Sequence, residues 1–201
     1  VTYEAIELPN LVTPIAYIRL MDFNDTTAAQ FADALSRGSE DRAHGYIVDV
    51  RNNGGGELSS ILEILDMLLP EGPIVRIQYK DGTEQVYESD ANEFKVPMVV
   101  LANGNTASAA ELFVSALKDY QKAIVVGTVT YGKGTVQSLI PFEDGSALRI
   151  STSMYAPPYS DNYEGVGITP DVESELDEEY RNINLFKLAH ENDAQLQAAL
   201  A

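Results

Sequence analysis

Ser108 and Lys133 are the residues whose type and setting suggest covalent chemistry. Ser108 lies in Asn103-Gly-Asn-Thr-Ala-Ser-Ala-Ala-Glu111, a run of small residues between an apolar segment and a helical one. A serine at a helix start meets the unpaired N–H groups of the first turn. Those donors and the helix dipole can stabilise an oxyanion formed beside them. The same stretch also fits a capping box, in which Ser108 and Glu111 only close the helix end. A hydroxyl is a weak nucleophile and needs a neighbouring base. The two histidines are poorly placed to be that base, since His44 ends the charged stretch Asp41-Arg-Ala-His44 and His190 falls in the C-terminal segment. A Ser–His–Asp arrangement is therefore disfavoured. A lysine serves when it is neutral, and burial favours its neutral form. Lys133 sits between Gly132 and Gly134, directly after an apolar segment. If the chain is extended from Gly134 onward, Gln137 points the same way and can orient the amine by a hydrogen bond. Taken alone, Gly-Lys-Gly also fits an exposed loop.

A second glycine turn, Arg51-Asn-Asn-Gly-Gly-Gly56, follows another apolar segment. It could cradle a phosphate at a helix start. No Lys-Ser/Thr follows it, however, and G-x-G-x-x-G is absent. It could instead bring a backbone N–H close to an oxyanion, which only glycine permits, or it could be a plain tight turn.

These turns need a scaffold, and the sequence alternates strand-like and helix-like segments. Ile15–Met21, Tyr46–Val50, Val96–Leu101 and Ala123–Val126 read as strands, the last three as buried ones. Helices are expected after Thr26-Thr27, with Gln30 as a capping partner, over Leu58–Leu69 with a stop at Pro70 and Gly72, and over Ser108–Tyr120. Phe31, Ala34 and Leu35 should share the buried face of the first helix. Two hairpins are expected, one turning at Lys80-Asp-Gly-Thr83 and one at Glu143-Asp-Gly145. Residues 182–201 read as an amphipathic terminal helix. The rhythm is that of a mostly parallel sheet covered by helices, an α/β fold in which sites gather at the carboxyl ends of strands. With no repeat and no linker, 201 residues fit one domain.

Composition narrows the function classes. The net charge of −18 opposes nucleic acid and anionic membrane surfaces as partners. The acidic run Asp171–Glu179 reads as a solvated face. The absence of cysteine excludes a disulfide scaffold, a thiol nucleophile and a zinc–thiolate site. No apolar stretch reaches the length of a membrane span, and no signal segment opens the chain.

Four motifs, in order, resemble those of the carboxyl-terminal processing peptidases, the tail-specific protease family. They are Asp49-Val-Arg-Asn-Asn-Gly-Gly-Gly56, Asn103–Glu111, Gly132-Lys-Gly-Thr-Val-Gln137 and Gly165-Val-Gly-Ile-Thr-Pro-Asp171. The resemblance covers roughly residues 15–173 and leaves 174–201 as an acidic segment and helix. It implies an αβα core with a mostly parallel sheet, similar to the crotonases and the caseinolytic-type peptidases, with β-hairpins added. It also implies Ser108 as nucleophile, Lys133 as general base and Gln137 as its orienting partner. The Gly55 and Ala109 N–H groups would be oxyanion donors, and Glu111 an accessory residue. No metal or organic cofactor is implied. The implied partners are protein or peptide substrates with unstructured C-termini, in the cell envelope of a bacterium or exported from it. Family members carry a PDZ domain before this core, and none is visible here. Homo-oligomers stay open. The sequence departs from the family where Gly54 replaces a proline, and where Thr106 and Ala110 replace serines. Two other readings stand beside this one: an inactive peptide-binding or scaffold relative, and a crotonase-like enzyme that acts on acyl thioesters.

Overall fold

The computed structural model describes residues 1–181 and 183–201. Its centre is a six-stranded sheet. The strands are β1 (Thr2–Ile6), β2 (Ile15–Arg19), β3 (Gly45–Asp49), β6 (Met98–Ala102), β7 (Ile124–Gly127) and β10 (Val172–Glu173), adjacent in that order. Only the β1–β2 pair is antiparallel. The core strands read as uninterrupted apolar runs because both faces of the sheet are covered. Helices α1 (Thr27–Glu40), α2 (Leu58–Leu68) and α3 (Ala109–Asp119) bury one face, around Ile18, Phe31, Ile64, Val100 and Phe113. The short helix α4 (Ala194–Leu200) covers the other, where Leu196 packs with Tyr17, Ile47 and Leu101. This is the expected αβα layering.

The two hairpins form a separate antiparallel sheet. It joins β4 (Gly72–Tyr79), β5 (Glu84–Ser89), β8 (Thr135–Pro141) and β9 (Ala147–Ala156) in the order β5-β4-β9-β8. Both turn where expected, the first at Lys80–Thr83 and the second at Phe142–Ser146.

Some expectations need correction. Thr26 precedes α1, but its side chain makes no cap hydrogen bond. Gln30 bonds its hydroxyl from four residues away, at 3.3 Å, so the expected capping box is not formed. The long terminal helix reduces to Ala194–Leu200, preceded by single 3-10 turns at Leu185–Lys187 and His190–Asn192. Asn184 and Asp193 are the reason: each side chain accepts from a backbone N–H two or three residues on, which starts a new turn. Asn182, at the start of the expected helix, lies outside the described residues. Most of Asp171–Glu179 is exposed, as expected of a solvated run. Asp171 does more, pairing with Lys118 and accepting the Val125 N–H at 2.9 Å.

Candidate active site

The four motifs converge at the carboxyl ends of β3, β6 and β7. Asparagines lock the first to the second. Asn52 and Asn103 exchange hydrogen bonds at 3.0 Å, and Asn105 Nδ2 donates to Asn52 Oδ1 at 2.9 Å. The Ala107 N–H donates to the Asn53 carbonyl, and Thr106 Oγ1 to the Val50 carbonyl, each at 2.9 Å. The third and fourth motifs brace each other as well. The Gly165 N–H donates to the Gly132 carbonyl at 2.9 Å, and the Ile168 N–H to Thr130 Oγ1 at 2.7 Å.

Glu111 joins the two halves. It is fully buried in the first turn of α3 and accepts four hydrogen bonds. Its Oε1 takes Thr130 Oγ1 and the Gly132 N–H, both at 2.6 Å. Its Oε2 takes the Ser108 N–H at 2.9 Å and the Lys133 N–H at 2.8 Å. One carboxylate oxygen thus holds the backbone of both residues singled out for chemistry. The capping interaction from Glu111 back to Ser108 is real, but the same carboxylate also grips the lysine loop.

Ser108 has φ 58° and ψ −123°, a conformation that a residue with a Cβ rarely adopts. Such strain is worth about 1–3 kcal/mol and persists where the surroundings impose it. Here Glu111 holds the N–H, while the Ser108 carbonyl takes the Glu111 and Leu112 N–H groups at 2.9 and 3.1 Å. Tyr163 lies against the same turn, its hydroxyl 3.4 Å from the Ser108 carbonyl. Burial, and then the Glu111 charge, push its phenol well above the ordinary value, so it stays neutral.

The glycine turn packs directly on Ser108. Gly55 has φ 100°, and a Cβ there would sit 2.9 Å from Ser108 Cβ and from the Ala109 nitrogen. Ala109 is the first residue of α3, and its N–H has no partner inside the helix. The Gly55 N–H, expected as a second oxyanion donor, is instead bonded to Asn53 Oδ1 at 2.8 Å. Asn53 is buried and donates in turn to the Leu20 carbonyl at 3.0 Å.

Lys133 is half-buried in a loop, and β8 begins two residues later. Gln137 is exposed on β8, and among the described residues no hydrogen bond joins its side chain to Lys133. Its expected orienting contact is therefore not made in this structure. His44 is exposed before β3, and His190 sits in the 3-10 turn before α4 with its Nε2 3.5 Å from Glu4 of β1, so both stand away from Ser108.

Below the turn lies a buried ionic cluster whose geometry composition does not reveal. Arg51 forks between two carboxylates. It meets Asp49 at 3.0 and 2.7 Å and Asp193 at 2.8 Å twice, with Gln195 Oε1 at 3.1 Å. Asp49 also takes the Tyr17 hydroxyl at 2.5 Å. Burial alone would raise the Asp49 pKa, but Arg51 outweighs it and holds the carboxyl below its ordinary 3.8. A depressed native pKa gives stability that is complete above the unfolded value and is lost as pH falls through the native one. The stability gap between the parent and Asp49→Asn, read from urea midpoints, should therefore narrow as pH is lowered below about 4. A gap independent of pH would contradict this.

A layered α/β sheet carrying a strained serine at a strand-to-helix turn, with a lysine loop tied to the same carboxylate, defines an αβα core with a hydrolase-like site. The chain belongs to peptidase family S41, whose family model matches residues 14–174. It is 37% identical over 189 residues to a carboxyl-terminal-processing protease of Synechocystis sp., covering 92% of this chain and 43% of that one. Identity to the carboxy-terminal processing protease of Bacillus subtilis is 34% over 165 residues, covering 81% of this chain and 35% of that one. The solved photosystem II D1 C-terminal processing protease superposes with a TM-score of 0.76 at 33% identity, covering 85% of this chain and 45% of that one. The chain thus spans less than half the length of each of these relatives.

Proposed function

We propose that residues 1–201 form the single catalytic core domain of a serine endopeptidase that cuts protein substrates near their C-termini, with Ser108 as nucleophile and Lys133 as general base. The observation that carries this reading is the shared Glu111 oxygen, which holds the Ser108 and Lys133 backbones together. Family membership supports the reaction class, and the names of the matched relatives support the substrate end.

In this mechanism the neutral Lys133 amine takes the proton of Ser108 Oγ as Oγ attacks the scissile carbonyl carbon. The resulting oxyanion faces the Ala109 N–H, pre-aimed by the helix start. The Gly55 N–H adds a second donor only if it is released from Asn53. Collapse of the tetrahedral adduct expels the amine, which takes the proton from Lys133. Water then attacks the acyl-enzyme with Lys133 again as base, freeing the new C-terminus and Ser108. Gln137 orients Lys133 once its side chain turns from solvent toward the amine, and Glu111 acts as a positioning residue. The chemistry calls for no metal or organic cofactor. The matched bacterial and chloroplast proteases favour an exported or envelope setting, where substrates with unstructured C-termini would be met. No helix among the described residues is long and apolar enough to cross a membrane.

A fluorophosphonate, which phosphonylates activated serines, tests the reading. Peptide mass spectrometry should place one adduct on Ser108, formed at least about tenfold more slowly in Lys133→Ala. No adduct, or an adduct elsewhere, would favour the scaffold or acyl-thioester alternatives, neither of which needs an activated serine.

A further inference from the structure

We propose that Glu164, seated by Asn162, is a positioning residue for Lys133 and sets the direction in which the lysine side chain leaves the backbone. The proposal rests on the peptidase reading, in which Lys133 is the general base.

A peptide unit is planar, so a side chain points where the two units flanking its Cα send it. The unit before Lys133 is held at both ends. Its Gly132 carbonyl accepts the Gly165 N–H at 2.9 Å, and its Lys133 N–H donates to Glu111 Oε2 at 2.8 Å. The unit after Lys133 has a different holder. Its Gly134 N–H donates to Glu164 Oε2 at 2.5 Å, and among the described residues no other hydrogen bond reaches that unit. The next unit is anchored again, because the Gly134 carbonyl accepts the Tyr155 N–H and Asn162 Nδ2, each at 2.8 Å. One peptide unit, joined directly to the Lys133 Cα, therefore depends on Glu164 alone. Released, it can turn about the line between its two Cα atoms. Glycine at 134 resists such a turn little, since it accepts almost any φ. The turn swings the Lys133 carbonyl carbon and tilts Cβ, and a long side chain magnifies the tilt at the amine.

Asn162 brings Glu164 to this place. Its Oδ1 accepts the Glu164 N–H at 2.8 Å, a local Asx-type bond that folds the chain back over the lysine loop. Its Nδ2 donates to the Gly134 and Tyr155 carbonyls. A Cβ at position 134 would sit 2.5 Å from Asn162 Nδ2. Gly134 does not have a positive φ, so the glycine there serves this close approach. Glu164 differs from Glu111 in being exposed, so its carboxylate can be removed without opening the core. Hydrogen bonds to an ionised acceptor are roughly twice as strong as neutral ones, which suits a single bond that must hold a unit unaided.

The rate at which a fluorophosphonate labels Ser108 tests the proposal in the intact chain. The parent is compared with Glu164→Ala, Glu164→Gln, Lys133→Ala and the double variant Glu164→Ala/Lys133→Ala. Glu164→Ala should be labelled about tenfold more slowly than the parent, with an unchanged urea midpoint because the side chain is exposed. Glu164→Gln keeps an accepting oxygen and should stay within about threefold of the parent. The Gly134 amide proton signal should move upfield in Glu164→Ala and return toward its parental position in Glu164→Gln. In the Lys133→Ala background, removing Glu164 should cost nothing further, because a residue that acts through the lysine has nothing left to position. A purely structural role would slow labelling in both backgrounds. Parental labelling of Glu164→Ala, equal losses in the Ala and Gln variants, or the same loss with and without Lys133 overturns the proposal and leaves the peptidase reading standing. A parent that is not labelled at Ser108, or is labelled no faster than Lys133→Ala, overturns the peptidase reading, and the proposal falls with it.

Discussion

Glu111→Ala should reduce peptide hydrolysis by several orders of magnitude and lower stability by at least about 3 kcal/mol. The stability figure follows from four donors losing one acceptor. Thr130 Oγ1 and the N–H groups of Ser108, Gly132 and Lys133 all end on this carboxylate. An unsatisfied buried donor costs about 1–3 kcal/mol, and water entering the gap recovers part of that. The catalytic loss follows from position. With the carboxylate gone, the one oxygen that holds both the Ser108 and the Lys133 N–H is lost, and the loops are left joined mainly by the Tyr131 N–H on the Thr106 carbonyl at 3.0 Å; displacing reacting groups by about 1 Å can cost on the order of a hundredfold. Glu111→Gln separates the two effects. Its side chain keeps the shape and one accepting oxygen, but its NH₂ faces N–H donors where an oxygen stood. It should retain more stability than Glu111→Ala and still lose most of kcat, with a smaller change in KM. Shifted amide signals of Ser108, Gly132 and Lys133 would show that the loss is positional. Normal kcat in a folded Glu111→Gln protein would remove Glu111 from the site's architecture.

Much of this site is legible in the sequence because its parts are local. Each apolar run followed by a glycine-rich or small-residue turn declares a strand ending at a loop, and β3, β6 and β7 form where those runs lie. The hairpins are equally plain, since Asp81-Gly82 and Asp144-Gly145 fix turns over a few residues. What escapes depends on distance along the chain. Glu111 resembles an ordinary capping glutamate because its partners at Thr130, Gly132 and Lys133 are supplied by another loop. Arg51 looks like part of a turn, yet its second carboxylate comes from Asp193, 142 residues away. The Gly55 N–H is the exception, since its acceptor is a side chain only two residues earlier, Asn53, and an Asx-type bond there is compatible with the sequence. The edge strand β10 escapes for a different reason. It is exposed and only two residues long, and it lacks the apolar run that marks the central strands. In the terminal segment, apolar spacing over 182–201 suggests one helix, but Asn184 and Asp193 divide it with local side-chain bonds.

Ser108→Ala and Lys133→Ala should each lower kcat for an unstructured protein substrate by about 10⁴-fold or more, and the double variant should lose little beyond either single one. Groups that act as one unit behave this way: once either is missing, the other has nothing to act on. The two single variants differ in informative ways. Ala at position 108 keeps a Cβ in the strained backbone geometry and removes only Oγ, so folding and KM should change little. Ala at 133 keeps the backbone N–H that Glu111 grips, so the loop should stay in place while the base is lost. Equal losses in the two variants, with little further loss in the double variant, would establish the pair. If Lys133→Ala kept near-parental turnover with Ser108 still essential, the base would have to be sought elsewhere. His44 is exposed on the loop before β3 and His190 sits in the 3-10 turn before α4, beside Glu4 of β1, so neither could serve without rearrangement of the fold.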